Sequence, residues 1–88
     1  MKTFTKDPQG VLDYVWDWSP WLGTDTITEY TFTIPTDFIK VDDSESDGKV
    51  TLWLSGGVAK KTYVITCHIK TLGTREEDRS VIFNLEDR

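Results

Sequence analysis

The sequence predicts an all-β fold, a small antiparallel β-sandwich of six or seven strands. Three observations carry this. Apolar and polar residues alternate with period two along most of the chain, as half-buried strands require. Clusters rich in Gly, Pro, Asp and Ser separate the alternating runs at fairly regular spacing. No segment shows a convincing helical period, so sheets packed face to face are the natural way to bury the apolar sides.

The first run is Val11–Trp18. Leu12, Tyr14, Trp16 and Trp18 share one bulky apolar face, and Val11, Asp13, Val15 and Asp17 share the other. Ser19-Pro20 stops it, because proline has no N–H for a ladder. Trp21-Leu22-Gly23-Thr24-Asp25 reads as a turn. Thr26–Ile34 alternates again, with Thr28, Tyr30, Phe32 and Ile34 on one face. Ile27 falls on the polar face, which predicts a bulge or a change of partner there. Pro35 ends this strand, and Asp37–Val41 reads as a short edge piece. The polar stretch Asp42-Asp43-Ser44-Glu45-Ser46-Asp47-Gly48 reads as a loop.

Lys49–Leu54 points Val50, Leu52 and Leu54 inward and Thr51 and Trp53 outward. Ser55-Gly56-Gly57 turns the chain. Thr62–Lys70 is the cleanest strand, with Tyr63, Ile65, Cys67 and Ile69 on one face and Val64, Thr66, His68 and Lys70 on the other. A hairpin loop then runs through Arg75-Glu76-Glu77-Asp78. Arg79–Glu86 closes the sheet, with Val81, Phe83 and Leu85 inward. The architecture is immunoglobulin-like or fibronectin-like by analogy only. Tyr63 precedes Cys67 by four positions, not two, and Cys67 has no partner cysteine.

The chain has 88 residues, enough for one domain, 1–88. Fifteen acidic against ten basic side chains give a net charge of -5. That balance argues against a nucleic-acid partner bound through phosphates. One cysteine and one histidine permit neither an internal disulfide nor a structural zinc site. The N-terminus has no apolar core of a secretory signal. No segment approaches the roughly 18 to 20 apolar residues of a membrane span, so no membrane partner is expected. With neither disulfide nor metal to support a small core, the eleven aromatic residues are its expected material.

Candidate chemistry is sparse. Asp13 and Asp17 share a strand face, but nothing pocket-forming accompanies them and both are expected in solvent. Asp43-x-Glu45-x-Asp47-Gly48 resembles half of a calcium loop, yet the twelfth position from Asp43 is Leu54 instead of a bidentate Glu. Whether it binds a cation stays open; a solvated loop is the simpler reading. Cys67 and His68 are neighbours whose side chains point to opposite faces of a strand, which breaks a thiolate–imidazole pair. No glycine pattern of a nucleotide-binding loop occurs. No catalytic residue, cofactor or metal is therefore expected. The four tryptophans are more informative. Trp16 and Trp18 belong to the core face. Trp21, in a turn, and the outward Trp53 are candidate interface residues, together with the outward Thr51 and His68. If Trp21 and Trp53 were close on one exposed surface, a carbohydrate-binding or adhesion module would be the alternative function.

The chain resembles a family of small phage and prophage proteins, the fiber-tail adaptors. The likeness rests on Lys6-Asp7-Pro8, Leu12-Asp13-Tyr14, Asp17-Trp18, Trp21-Leu22, Asp25-Thr26-Ile27 and Leu52-Trp53-Leu54-Ser55-Gly56-Gly57. It continues through Tyr63-Val64-Ile65-Thr66-Cys67, Thr71-x-Gly73 and Arg79-Ser80. The resemblance implies a non-enzymatic virion component near the tail or neck. Its partners would be other virion proteins of the neck, tail or fiber, and it would be present in several copies in a symmetric assembly.

Overall fold

Two sheets form because almost every run of alternation has one apolar face to hide. The computed structural model describes residues 2–86; residues 1, 87 and 88 at the ends of the expected 1–88 domain lie outside the described residues. The strands are β1 (Lys2–Lys6), β2 (Leu12–Asp17), β3 (Ile27–Thr33), β4 (Phe38–Ser46), β5 (Lys49–Gly56), β6 (Thr62–Thr71) and β7 (Glu76–Leu85). One short helix, α1 (Ser19–Leu22), follows β2. One sheet has the order β1-β7-β6-β3 and the other β2-β5-β4. The fold is the all-β sandwich that the alternation predicts. No helix among the described residues is long and apolar enough to cross a membrane.

The core lies between the sheets. Trp16, Trp18, Leu22, Phe38, Val50, Leu52, Leu54, Ile65, Cys67, Ile69, Val81, Phe83 and Leu85 are buried. Phe4, Tyr14, Tyr30, Phe32 and Tyr63 pack against them half-buried. The aromatics touch edge to face: Phe4–Tyr14 at 5.2 Å, Tyr14–Trp16 at 4.8 Å and Phe38–Tyr63 at 4.7 Å between ring centroids. Each such pair adds about 0.5–1.5 kcal/mol beyond its buried area. This aromatic density enlarges the core of a small domain whose single cysteine permits no internal disulfide.

The structure corrects several expectations. The segment 42–48 is not a loop. β4 runs through Ser46, and Asp47 and Gly48 alone make the turn, with φ of 52° and 82°. Two left-handed residues form the tight hairpin that Asp-Gly favours, and Ser46 pairs with Lys49 across it. A side chain at Gly48 would also meet Leu22 Cδ1 at 2.8 Å. The charged Glu76-Glu77-Asp78 belongs to β7, because Glu76 pairs with Lys70 and Asp78 with His68, so opposite charges face each other across the ladder. Trp21-Leu22 lies in α1 rather than in an open turn, and Leu22 is buried. Lys2–Lys6, not expected as a strand, pairs with β7 and does so in parallel, so the sheet is not wholly antiparallel. The irregularity expected at Ile27 is present as a register shift between Ile27 and Glu29.

Candidate interaction surface

β5 is the central strand of the three-stranded sheet, and its alternation buries Val50, Leu52 and Leu54. The intervening Thr51 and Trp53 therefore face away from the core, each half-buried by its neighbours. The register gives Trp53 a flank on each side, Asp13 of β2 and Asp42 of β4. Thr51 lies between Val15 and Ser44 in the same way. Val15 is 43% exposed, and Ile39, paired with Ser55 on the same outer face, is 66% exposed. An indole, a threonine and two aliphatic side chains thus form a wet apolar area with carboxylates in its midst.

Trp21 sits elsewhere. It packs against the core, with its ring 5.7 Å from that of Trp18. The Arg75 guanidinium lies 4.1 Å over the Trp21 ring. Arg75 Nε donates to Asp25 Oδ2 at 3.0 Å, and Nη2 donates to the Leu22 carbonyl at 2.9 Å. Asp25 also accepts the N–H groups of Thr26 and Gly73 at 2.9 Å each. Hydrogen bonding, from the Thr71 hydroxyl first and then from these donors, holds the Asp25 carboxyl down at about 2. This junction ties α1 to the β6–β7 turn. It also covers Trp21, so Trp21 and Trp53 form no shared exposed platform of the kind a sugar ring would stack on.

His68 stands on the outer face of the other sheet. Its Nδ1 meets Asp78 Oδ1 at 2.5 Å and its Nε2 meets Glu76 Oε1 at 3.1 Å. Asp78 first and Glu76 second raise its pKa above the ordinary 6.5. The four expected interface residues therefore divide among three places: Thr51 and Trp53 on one face, His68 on the opposite one, and Trp21 at an end of the sandwich.

The remaining candidates have structural partners. Asp17 Oδ1 accepts both the hydroxyl and the N–H of Ser19, at 2.6 and 3.0 Å, and so starts α1; these bonds lower its pKa. Asp13 is exposed on the same strand. Asp43 accepts the Tyr30 hydroxyl at 2.7 Å and the Lys40 ammonium at 2.6 Å, while Glu45 accepts the Gly48 N–H at 2.9 Å. Among the described residues no group of three His, Cys, Asp or Glu is placed to hold a metal ion. Cys67 is buried, and desolvation pushes its thiol up to about 11. A thiol so protonated is a poor nucleophile at neutral pH.

Sequence reasoning missed Lys6 as a structural centre. Its side chain is 0% exposed. The ammonium donates to the carbonyls of Asp7, Gly10 and Gly56 at 2.8, 2.8 and 3.0 Å, which uses all three of its protons. Lys6 ends β1 in one sheet and Gly56 ends β5 in the other, so the charge pins the two sheets together. Burial lowers its pKa below the ordinary 10.5, with the Asp7 carboxylate opposing. Backbone carbonyls have no signature in a sequence. Only the presence of Lys6-Asp7-Pro8 among the residues of resemblance marked the place.

Residues 6–84 match the family model described as podophage GP4 fiber-tail adaptor protein gp77. The chain belongs to this family. No curated protein matches it. The fiber-tail adaptor match begins at the buried Lys6 and extends through Asn84, so it spans both sheets and takes in Asp13, Asp42 and Trp53. The resemblance read from the motifs thus has its counterpart in a match over nearly the whole chain.

Proposed function

We propose that the chain is a non-enzymatic structural adaptor of a tailed-phage virion, joining tail, neck or fiber components. The observation that carries this reading is the family match over residues 6–84. The outer face around Trp53 and Thr51 is its principal docking surface. A half-buried indole beside exposed Val15 and Ile39 supports that choice, because aromatic anchors among aliphatic neighbours concentrate binding energy. The outer strands β1, β3, β2 and β4 offer further backbone donors and acceptors. His68 and its two acidic partners mark a second contact face on the opposite sheet. The Trp21–Arg75–Asp25 junction serves as framework that keeps one end of the sandwich rigid. Several copies, set by the rotational symmetry of a tail, would turn modest single contacts into firm attachment. The net charge of -5 favours basic docking surfaces on the partners.

Co-expression with the tail, neck and fiber proteins of the same phage, followed by affinity capture and size-exclusion chromatography, tests the reading. The expected result is a discrete complex with at least one of them. A chain that neither self-associates nor captures any of these proteins overturns it.

A further inference from the structure

The outer face of the β2-β5-β4 sheet carries one row whose composition points to a particular ligand. Asp13, Trp53 and Asp42 lie side by side across the three strands. Directly opposed residues on neighbouring strands have their Cβ atoms about 4.5–5.5 Å apart, so both carboxylates flank the indole within reach of a group resting on it. Asp42 is exposed, and its Oδ1 accepts the Asp43 N–H at 2.8 Å while no hydrogen bond within the described residues uses its second oxygen. We propose that the Asp13–Trp53–Asp42 row is a seat for an arginine side chain presented by a neighbouring virion protein. For the identity of its partner this rests on the adaptor reading; for its chemistry it rests on the row alone.

The molecule builds closely related arrangements internally. Arg75 lies 4.1 Å over Trp21 while its Nε donates to Asp25. Arg79 lies 4.4 Å over Trp18 while its Nη1 donates to the Asp17 carbonyl at 3.1 Å. In each, a planar guanidinium stacks on an indole face and gives its N–H edge to an oxygen. A guanidinium is drawn to the electron-rich ring face, and its fork of donors can serve carboxylates on two sides at once. A lysine ammonium is a compact, strongly hydrated point charge and cannot do both. Among the described residues no Lys or Arg is found over Trp53.

The occupant we commit to is an arginine of a different protein. The arginines among the described residues, Arg75 and Arg79, are each already held on a tryptophan of their own chain, so neither is available to a second copy. Charge on the face also selects a cation. Asp13, Asp17 and Asp42 are there against Lys49, which stands opposite Asp17 in the register. Exposed Val15 and Ile39 next to the row call for aliphatic residues beside the arginine. The segment recognised is therefore an arginine between apolar side chains.

Two measurements test the seat. In the first, the probe is the peptide acetyl-Gly-Leu-Arg-Leu-Gly-amide, with versions carrying lysine or citrulline in place of arginine. Titration is followed on the Trp53 indole N–H signal by NMR. The arginine peptide is expected to shift that signal saturably, and the lysine peptide to bind at least about threefold more weakly. The neutral citrulline peptide should leave the signal in place. The Asp13→Asn/Asp42→Asn variant should weaken the arginine peptide about tenfold. These two sites are exposed, and Asp13→Asn alone, read on the same Trp53 signal and expected to weaken the arginine peptide by a smaller factor, gives a second variant should the double one fold poorly. An unmoved Trp53 signal, or equal responses to all three peptides, overturns the seat. In the second, wild type and the double Asn variant are compared in capture of co-expressed tail, neck and fiber proteins. Loss of capture by the variant alone supports the seat. Equal capture by both refutes the seat and leaves the adaptor reading standing, whereas no capture by wild type refutes the adaptor reading itself.

Discussion

Replacing Lys6 with methionine asks whether one buried ammonium holds the two sheets together. Methionine keeps an unbranched stem of similar length and removes the donors. Three carbonyls then lose a partner. Asp7 O retains the Gly10 N–H at 3.1 Å, but the Gly10 and Gly56 oxygens lose the ammonium. A buried carbonyl left unpaired costs about 1–3 kcal/mol, so two of them set a loss of about 2–6 kcal/mol. Desolvation of the charge works the other way, as the lowered Lys6 pKa records, and an apolar replacement escapes it. Water reaching Gly10 beside the exposed Gln9 restores part of the bonding as well. The net loss is about 2–3 kcal/mol. At about 4–8 °C per kcal/mol for a domain of this size, the melting temperature falls by about 8–24 °C. Thermal and urea unfolding followed by tryptophan fluorescence at neutral pH read this directly, with the urea m-value unchanged. A Lys6→Met chain that melts at or above the wild-type temperature would refute the reasoning, because desolvation would then outweigh all three hydrogen bonds.

Gly48→Ala combines a left-handed backbone with a Cβ 2.8 Å from Leu22 Cδ1, and should cost about 1–3 kcal/mol in chemical denaturation; an unchanged midpoint contradicts the turn geometry. His68 has a raised pKa, so its pairing with Asp78 and Glu76 contributes stability fully below pH 6.5, and this is lost as pH rises through the raised value. An NMR titration should place the His68 midpoint above 6.5, and Asp78→Asn should bring it back toward that value. Cys67 should resist a thiol reagent such as DTNB in native protein and react at once in denaturant, since it is buried and its thiol is pushed up to about 11; rapid native labelling would contradict the core placement.

What could be read in the sequence follows from which strands are wet on one face. Lys49–Leu54 and Thr62–Lys70 alternate cleanly because one side faces the core and the other faces water. The outward setting of Trp53 is legible for the same reason, as Val50, Leu52 and Leu54 fix the parity. β4 from Asp42 onward was not legible. It is an edge strand, and its polar residues find distant partners, Tyr30 for Asp43 and the turn N–H of Gly48 for Glu45. β1 has a single aromatic among Lys and Thr, and becomes a strand only against β7 at the other end of the chain. Acidic residues at the start of β7 look like loop until Lys70 and His68 stand opposite them. The Asp13–Trp53–Asp42 row was hidden because register between strands far apart in sequence is not written in either strand alone.

The parallel pairing of β1 with β7 bears on how the protein comes into being. Lys2–Lys6 is synthesised before every other strand of the sandwich, yet the segment that receives it, Val81–Leu85, follows all of the others in sequence. Closing that span costs loop entropy that grows only slowly with length, but contacts so far apart in sequence slow folding. The Lys6 staple needs β1 seated, so the joint between the sheets is completed late as well. A chain cut before β7 would leave β6 with a bare edge and Phe4 without Phe83 beneath it. A chain in which β7 is not yet in place therefore exposes a sheet edge and an aromatic face, and the sandwich is complete only once β7 is seated.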